Sequence, residues 1–87
     1  GGGRVELYSW LVVEGWVPQV LHGGVEFTLR RDDGIELAIL VLDTDKQPDE
    51  KKELGLRAQG KHVEWVSTRD IFETPHNVIE RIKEALQ

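Results

Sequence analysis

Hydrophobic and polar positions along the chain change period several times, and each change predicts an element. In "RVELYSWLVVE", Arg4 to Glu14, Leu7, Trp10 and Leu11 recur at helical spacing and Gly15 supplies a stop, which predicts a short helix. "WVPQVL", residues 16–21, reads as a short strand that Pro18 holds at a sheet edge, and His22-Gly23-Gly24 as a turn. "VEFTLRR" then alternates with period two: Val25, Phe27 and Leu29 share one face, Glu26, Thr28 and Arg30 the other. Asp33-Gly34 predicts a two-residue hairpin turn. The strand after it, Leu37 to Leu42, is apolar on both faces, as a central strand covered on both sides would be.

Further on, "QPDEKKELGLRAQGK" predicts a second helix that starts at Pro48 and Asp49, carries Leu54 and Ala58 on one face and ends at Gly60. "HVEWVS" is a strand with Val63 and Trp65 on one face. "TPHNVIERIKEAL" predicts a helix with Thr74 as N-cap, Pro75 in the first turn and a stripe of Val78, Ile79, Ile82 and Leu86. The second helix provides a crossover long enough for parallel pairing of the strands on either side of it. The expected fold is α/β in the α+β sense: a mixed four-stranded sheet with a central antiparallel hairpin and a parallel crossover strand, flanked by three helices. Residues 4–87 are expected to form one domain, with Gly1-Gly2-Gly3 a flexible terminus or an expression remnant.

The apolar strand runs directly into Asp43-Thr44-Asp45, and this raises a chemical question. If the hairpin turns on Asp33-Gly34 alone, Glu26 lies opposite Val41. Asp43 would then share its face at roughly 7–8 Å between Cα atoms, and Asp45 would join them if the strand continued. Clustered carboxylates repel unless a cation separates them, and oxygen ligands of this kind suit Mg²⁺ or Mn²⁺. Such an ion turns water into a nucleophile at a phosphodiester. Lys46, Lys51 and Lys52 follow closely and could hold a phosphate or assist a leaving group. The alternative is plain: Glu26 on a solvated strand face, and Asp43-Thr44-Asp45 as turn chemistry after a strand. A one-residue change in the turn moves Glu26 to the other face, so the metal hypothesis depends on that turn.

Composition narrows the partners. With 87 residues and a net charge of −5, the chain has no basic stripe of the kind that holds nucleic acid by charge alone, although a bound cation would offset clustered acids. No run of residues is long and apolar enough to span a membrane. The absence of cysteine excludes disulfides and fits a reducing, cytoplasmic setting. Trp10 and Trp65 fall on apolar stripes and are expected in the core, with Trp16 at a strand end. His22, beside two glycines, is a candidate general acid, metal ligand or nucleic-acid contact. His62 and His76 read as structural or exposed.

Taken together, "ELYSWLVVEGW", "GVEFTLRRDDGIELAILVLDTD" and "DEKKELGLRAQGKHVEWVSTRDIFETPHNVIERIKEAL" resemble the restriction-endonuclease-like superfamily with the PD-(D/E)xK signature, in its very-short-patch-repair-endonuclease-like branch. Glu26 stands where the family has its first Asp, and "VLDTD" resembles the acidic motif that ends the next strand. Lys46 falls one place late. The resemblance implies metal ligands at Glu26 and Asp43, a ligand or base at Asp45, a further acid at Glu6 and Mg²⁺ or Mn²⁺ as cofactor. Lys46 would assist, and Lys51, Lys52 and His22 would contact nucleic acid, DNA before RNA. The acidic charge and small size add the expectation that a homodimer or a larger parent protein completes the substrate groove. Two functions follow as expectations: a metal-dependent nuclease, or an inactive nuclease-like domain used for protein interaction or nucleic-acid docking. The second carries its own expectation of an exposed apolar or small basic patch.

Overall fold

The two-faced apolar run becomes a central strand with layers on both sides. A computed structural model describes residues 2–87. Its elements are α1 (Arg4–Val13), β1 (Gln19–Leu21), a 3-10 turn at His22–Gly24, β2 (Glu26–Arg30), β3 (Glu36–Leu42), α2 (Glu50–Ala58), β4 (His62–Ser67), α3 (Thr68–Glu73) and α4 (Pro75–Ala85). The strands form one mixed sheet in the order β1-β2-β3-β4, antiparallel from β1 to β3 and parallel between β3 and β4. The α+β class and the hairpin-plus-crossover topology are as expected, but four helices flank the sheet where three were expected.

Each face of β3 has its own core. On one, Phe27, Leu29, Leu37, Ile39, Val41 and Val66 meet Leu7 and Leu11 of α1, Ile71 of α3, and Val78, Ile79 and Ile82 of α4. On the other, Ala38, Leu40, Val63 and Trp65 lie with Leu56 of α2. In α2 the inward face is Leu56 with the half-buried Lys52 and Glu53, whereas Leu54 and Ala58 face solvent. The Asp49 carboxylate caps this helix at the Lys52 N–H (3.1 Å), as its sequence predicted.

The additional helix, α3, occupies the stretch expected to be a short connection. Its N-cap is Ser67, whose hydroxyl accepts the Asp70 N–H at 3.1 Å, and Thr74 alone separates it from α4, which opens on Pro75. With only Ile71 turned inward, it leaves no periodic signal. β1 is also shorter than expected, because Trp16, beyond the end of α1, is bonded back to that helix and not to the sheet. Gly15, at φ 94°, lets the Trp16 N–H reach back to the Leu11 carbonyl at 3.1 Å.

The hairpin departs from expectation by one residue. Arg31 N–H bonds to the Ile35 carbonyl at 2.8 Å and Gly34 N–H to the Arg31 carbonyl at 2.9 Å, which leaves Asp32, Asp33 and Gly34 as a three-residue loop. A two-residue type I′ turn on Asp33-Gly34 would need positive φ at both residues, and only Gly34, at 87°, has it. Asp33 instead accepts the Ile35 N–H and Arg31 Nε, both at 3.1 Å, and its second oxygen pairs with Arg31 Nη2. As a result Glu26 faces Leu40, not Val41, and Thr28 faces Ala38.

Two measurements check this arrangement. The Arg31 hydrogen bond, then that from Ile35, pulls the Asp33 carboxyl down to about 2 from an ordinary 3.8. Because folding lowers this pKa, the contribution to stability is complete above the ordinary value and is lost as pH falls toward about 2. An NMR titration of the Asp33 carboxyl carbon should give that low midpoint, and Arg31→Ala should raise it; an ordinary midpoint in the wild type would contradict the loop. In the sheet, Ile39→Ala should cost about 2–5 kcal/mol in urea unfolding, since Ile39 is fully enclosed between neighbouring strands.

Candidate functional site

Glu26 opens β2 with its side chain on the face covered by α2, where it is 2% exposed. Its Oε1 lies 3.9 Å from Lys52 Nζ and 3.9 Å from His22 Nε2. These are ion-pair separations, too long for hydrogen bonds. Lys52 reaches Glu26 from the first turn of α2. His22 reaches it from the 3-10 turn, where its φ of 53° is the only positive value at a non-glycine among the described residues. Two positions along the same face, Thr28 buries its hydroxyl with no hydrogen-bond partner. Three residues singled out in the sequence, His22, Glu26 and Lys52, thus come together from three separate elements.

The other expected site residues do not join them. β3 ends at Leu42, and Asp43, Thr44, Asp45 and Lys46 form an exposed turn closed by Lys46 N–H on the Asp43 carbonyl at 2.9 Å. The Thr44 and Thr68 hydroxyls meet at 3.1 Å, which fastens this turn to the start of α3. The expected cluster of Glu26, Asp43 and Asp45 is therefore corrected by the register. Glu26 looks across at Leu40, which is 0% exposed, with Ala38 and Leu42 as the flanking residues on that face. Glu6 rides on α1, in the layer on the opposite side of the sheet, and Lys51 is exposed.

Among the described residues no group of three or more His, Asp or Glu side chains is placed to hold a metal ion. A divalent ion such as Mg²⁺ typically takes one or two carboxylates together with water and phosphate oxygens. Here the one buried carboxylate among those residues already faces the Lys52 ammonium, the His22 ring and a leucine, so the donor set does not fit Mg²⁺ or Mn²⁺.

The three tryptophans are half-buried. Trp10 and Trp16 are half-buried against the main core, and Trp65, half-buried under α2, gives its indole N–H to Glu53 Oε1 at 2.5 Å. That bond, followed by Arg57 Nε on the other oxygen at 3.0 Å, holds the Glu53 carboxyl below its ordinary range. No helix among the described residues is long and apolar enough to cross a membrane.

The most distinctive surface lies elsewhere. Val5, Tyr8, Val12 and Val13 of α1 and Val20 of β1 are exposed. A hollow of about 310 Å³ lies between α1 and β1, lined by Arg4, Val5, Tyr8, Val20, Phe27 and the Gly23-Gly24 pair. The Tyr8 and Phe27 rings are tilted, 6.5 Å apart. The signal is present in the sequence, since "RVELYSWLVV" has apolar residues on every side and not only in the stripe of Leu7, Trp10 and Leu11. In comparisons with known proteins, the chain matches no family model, no curated protein and no solved structure.

The buried trio can be tested by unfolding. Lys52→Met should destabilise by about 1–3 kcal/mol, because it removes the ammonium that faces the buried Glu26 carboxylate. Replacing both groups, as Glu26→Leu with Lys52→Met, should recover most of that loss. A double variant no more stable than Lys52→Met alone would show that the carboxylate and the amine are not coupled.

Proposed function

We propose that this chain is a non-catalytic protein-interaction module, built on an architecture that resembles the restriction-endonuclease-like domains. The observation that carries this reading is the exposed apolar outer side of α1 with its adjoining hollow, a surface of the kind that marks a contact site. The environment of Glu26 supports it from the other direction. Metal-assisted phosphodiester hydrolysis draws on closely spaced carboxylates, and the residues around this acid are Leu40, Lys52 and His22. Nucleic-acid docking is the weaker form of the same reading. The chain carries 16 acidic against 11 basic side chains, and two of the expected contacts, Lys52 and His22, are turned to Glu26.

Two assays on the intact chain test the proposal. In an assigned amide NMR spectrum, Mn²⁺ should broaden resonances diffusely over the exposed acids, with no centre at Glu26. Single- and double-stranded DNA and RNA should remain uncut with Mg²⁺ or Mn²⁺. Cleavage that requires the metal and disappears in Glu26→Gln would overturn the proposal and restore the nuclease reading.

A further inference from the structure

Of the ten residues of α1, only Arg4, Glu6 and Ser9 are polar. Leu7 and Leu11 fill the core, whereas Val5, Tyr8, Val12 and Val13 are 64, 42, 46 and 82% exposed. A helix that is apolar on all sides normally belongs in an interior. α4 shows the contrast within the same layer: its apolar stripe is buried, and His76, Asn77, Glu80 and Glu84 face outward. The outer side of α1 has the composition of a covered surface.

Resting on the interaction reading above, we propose that α1 is a self-association face. A second copy of this chain lays its own α1 antiparallel across Val5, Tyr8 and Val12, and side chains from that copy fill the hollow beside β1.

Three observations select this occupant. First, an extended segment finds little to pair with. β1 is three residues long and follows Pro18, and on β4, at the opposite edge, the Trp65 carbonyl is taken by Arg81 Nη2 at 2.6 Å. A helix is the better match, and Val5, Tyr8 and Val12 have the three-then-four spacing of a helix–helix seam. Reversed upon itself, that spacing sets Val5 against Val12 of the second copy and brings the two Tyr8 rings together at the centre, an isologous two-fold contact. Second, the seam contains no charged residue. Antiparallel packing also separates each Arg4 from its image by most of the helix length, so two chains of net charge −5 meet without like charges in contact. Third, the area is adequate for a weak dimer. The exposed parts of these side chains and Val20 total on the order of several hundred Å², within the range of a monomer's largest patch. That is short of the roughly 800 Å² per partner of a standard interface, as suits a weak, concentration-dependent contact.

Sedimentation equilibrium of the intact chain, from about 10 μM to about 1 mM, covers the affinity expected of such a contact. A reversible monomer–dimer equilibrium should appear and tighten as salt is raised, because salt screens the repulsion between two acidic chains. Val5→Lys and Tyr8→Glu should each weaken it about tenfold or more, and Asn77→Ala, an uncharged change on the outward face of α4, should leave it unchanged. Val5 is the more exposed of the two, so Val5→Lys remains informative if Tyr8→Glu disturbs the packing on Phe27. A chain that stays monomeric throughout, or a dimer indifferent to both substitutions, would overturn the proposal. Either result would leave the non-catalytic reading standing, which the Mn²⁺ titration and the cleavage assay address.

Discussion

The loop at Asp32, Asp33 and Gly34 determines what the sheet presents on each face. In an antiparallel pair, a one-residue difference in the loop moves every side chain of one strand relative to the faces of its partner. The bonds from Ile35 N–H and Arg31 to the Asp33 carboxylate, with Gly34 in the left-handed region, hold the loop at three residues. Phe27 and Leu29 consequently join Leu37 and Ile39 on the face packed by α1, α3 and α4. Glu26 and Thr28 go to the other face, against Leu40 and Ala38. The fold and the chemistry at Glu26 both follow from this one turn.

Burying Glu26 has an energetic consequence that the fold accommodates locally. A desolvated carboxylate is costly unless it is paired, and Lys52 and His22 approach it from α2 and from the 3-10 turn. Both partners keep solvent contact while the acid does not, so the arrangement favours one seating of α2 over the sheet without needing a fully buried ion pair. We infer a structural role for the trio: it joins β2 to α2 on a side where Leu56 is that helix's only buried side chain.

Much of the fold was legible from periodicity. The stripe of α4, the alternation in β2 and the continuous apolar run of β3 are each strong single-segment signals, and all three elements form where expected. The failures share a cause. Asp-Gly is compatible with more than one hairpin loop, and the choice rests on whether Asp33 takes positive φ or uses its carboxylate as a local acceptor, which the dipeptide does not encode. The inward face of α2 is set by the crossover to β4 and not by its few apolar residues, so Leu54 and Ala58 misled. α3 is held by a serine cap and a single isoleucine, too little for a pattern. The candidate site was half legible: His22, Glu26 and Lys52 do converge, but Asp43 and Asp45 belong to the turn chemistry that was the alternative from the outset.

The central claim is the hairpin register, and it can be observed directly. The bonds from Arg31 to Ile35 and from Val41 to Val25 make the odd-numbered pairs of β2 and β3 the hydrogen-bonded ones, so Glu26 and Leu40 form a non-hydrogen-bonded pair whose backbones approach most closely. The measurement is a two-dimensional nuclear Overhauser spectrum resolving the α-protons of β2 and β3. A strong cross-peak between the Glu26 and Leu40 α-protons, accompanied by one between Thr28 and Ala38, is the predicted result. A cross-peak pairing Glu26 with Val41 instead would contradict the register and return Glu26 to the face of Asp43.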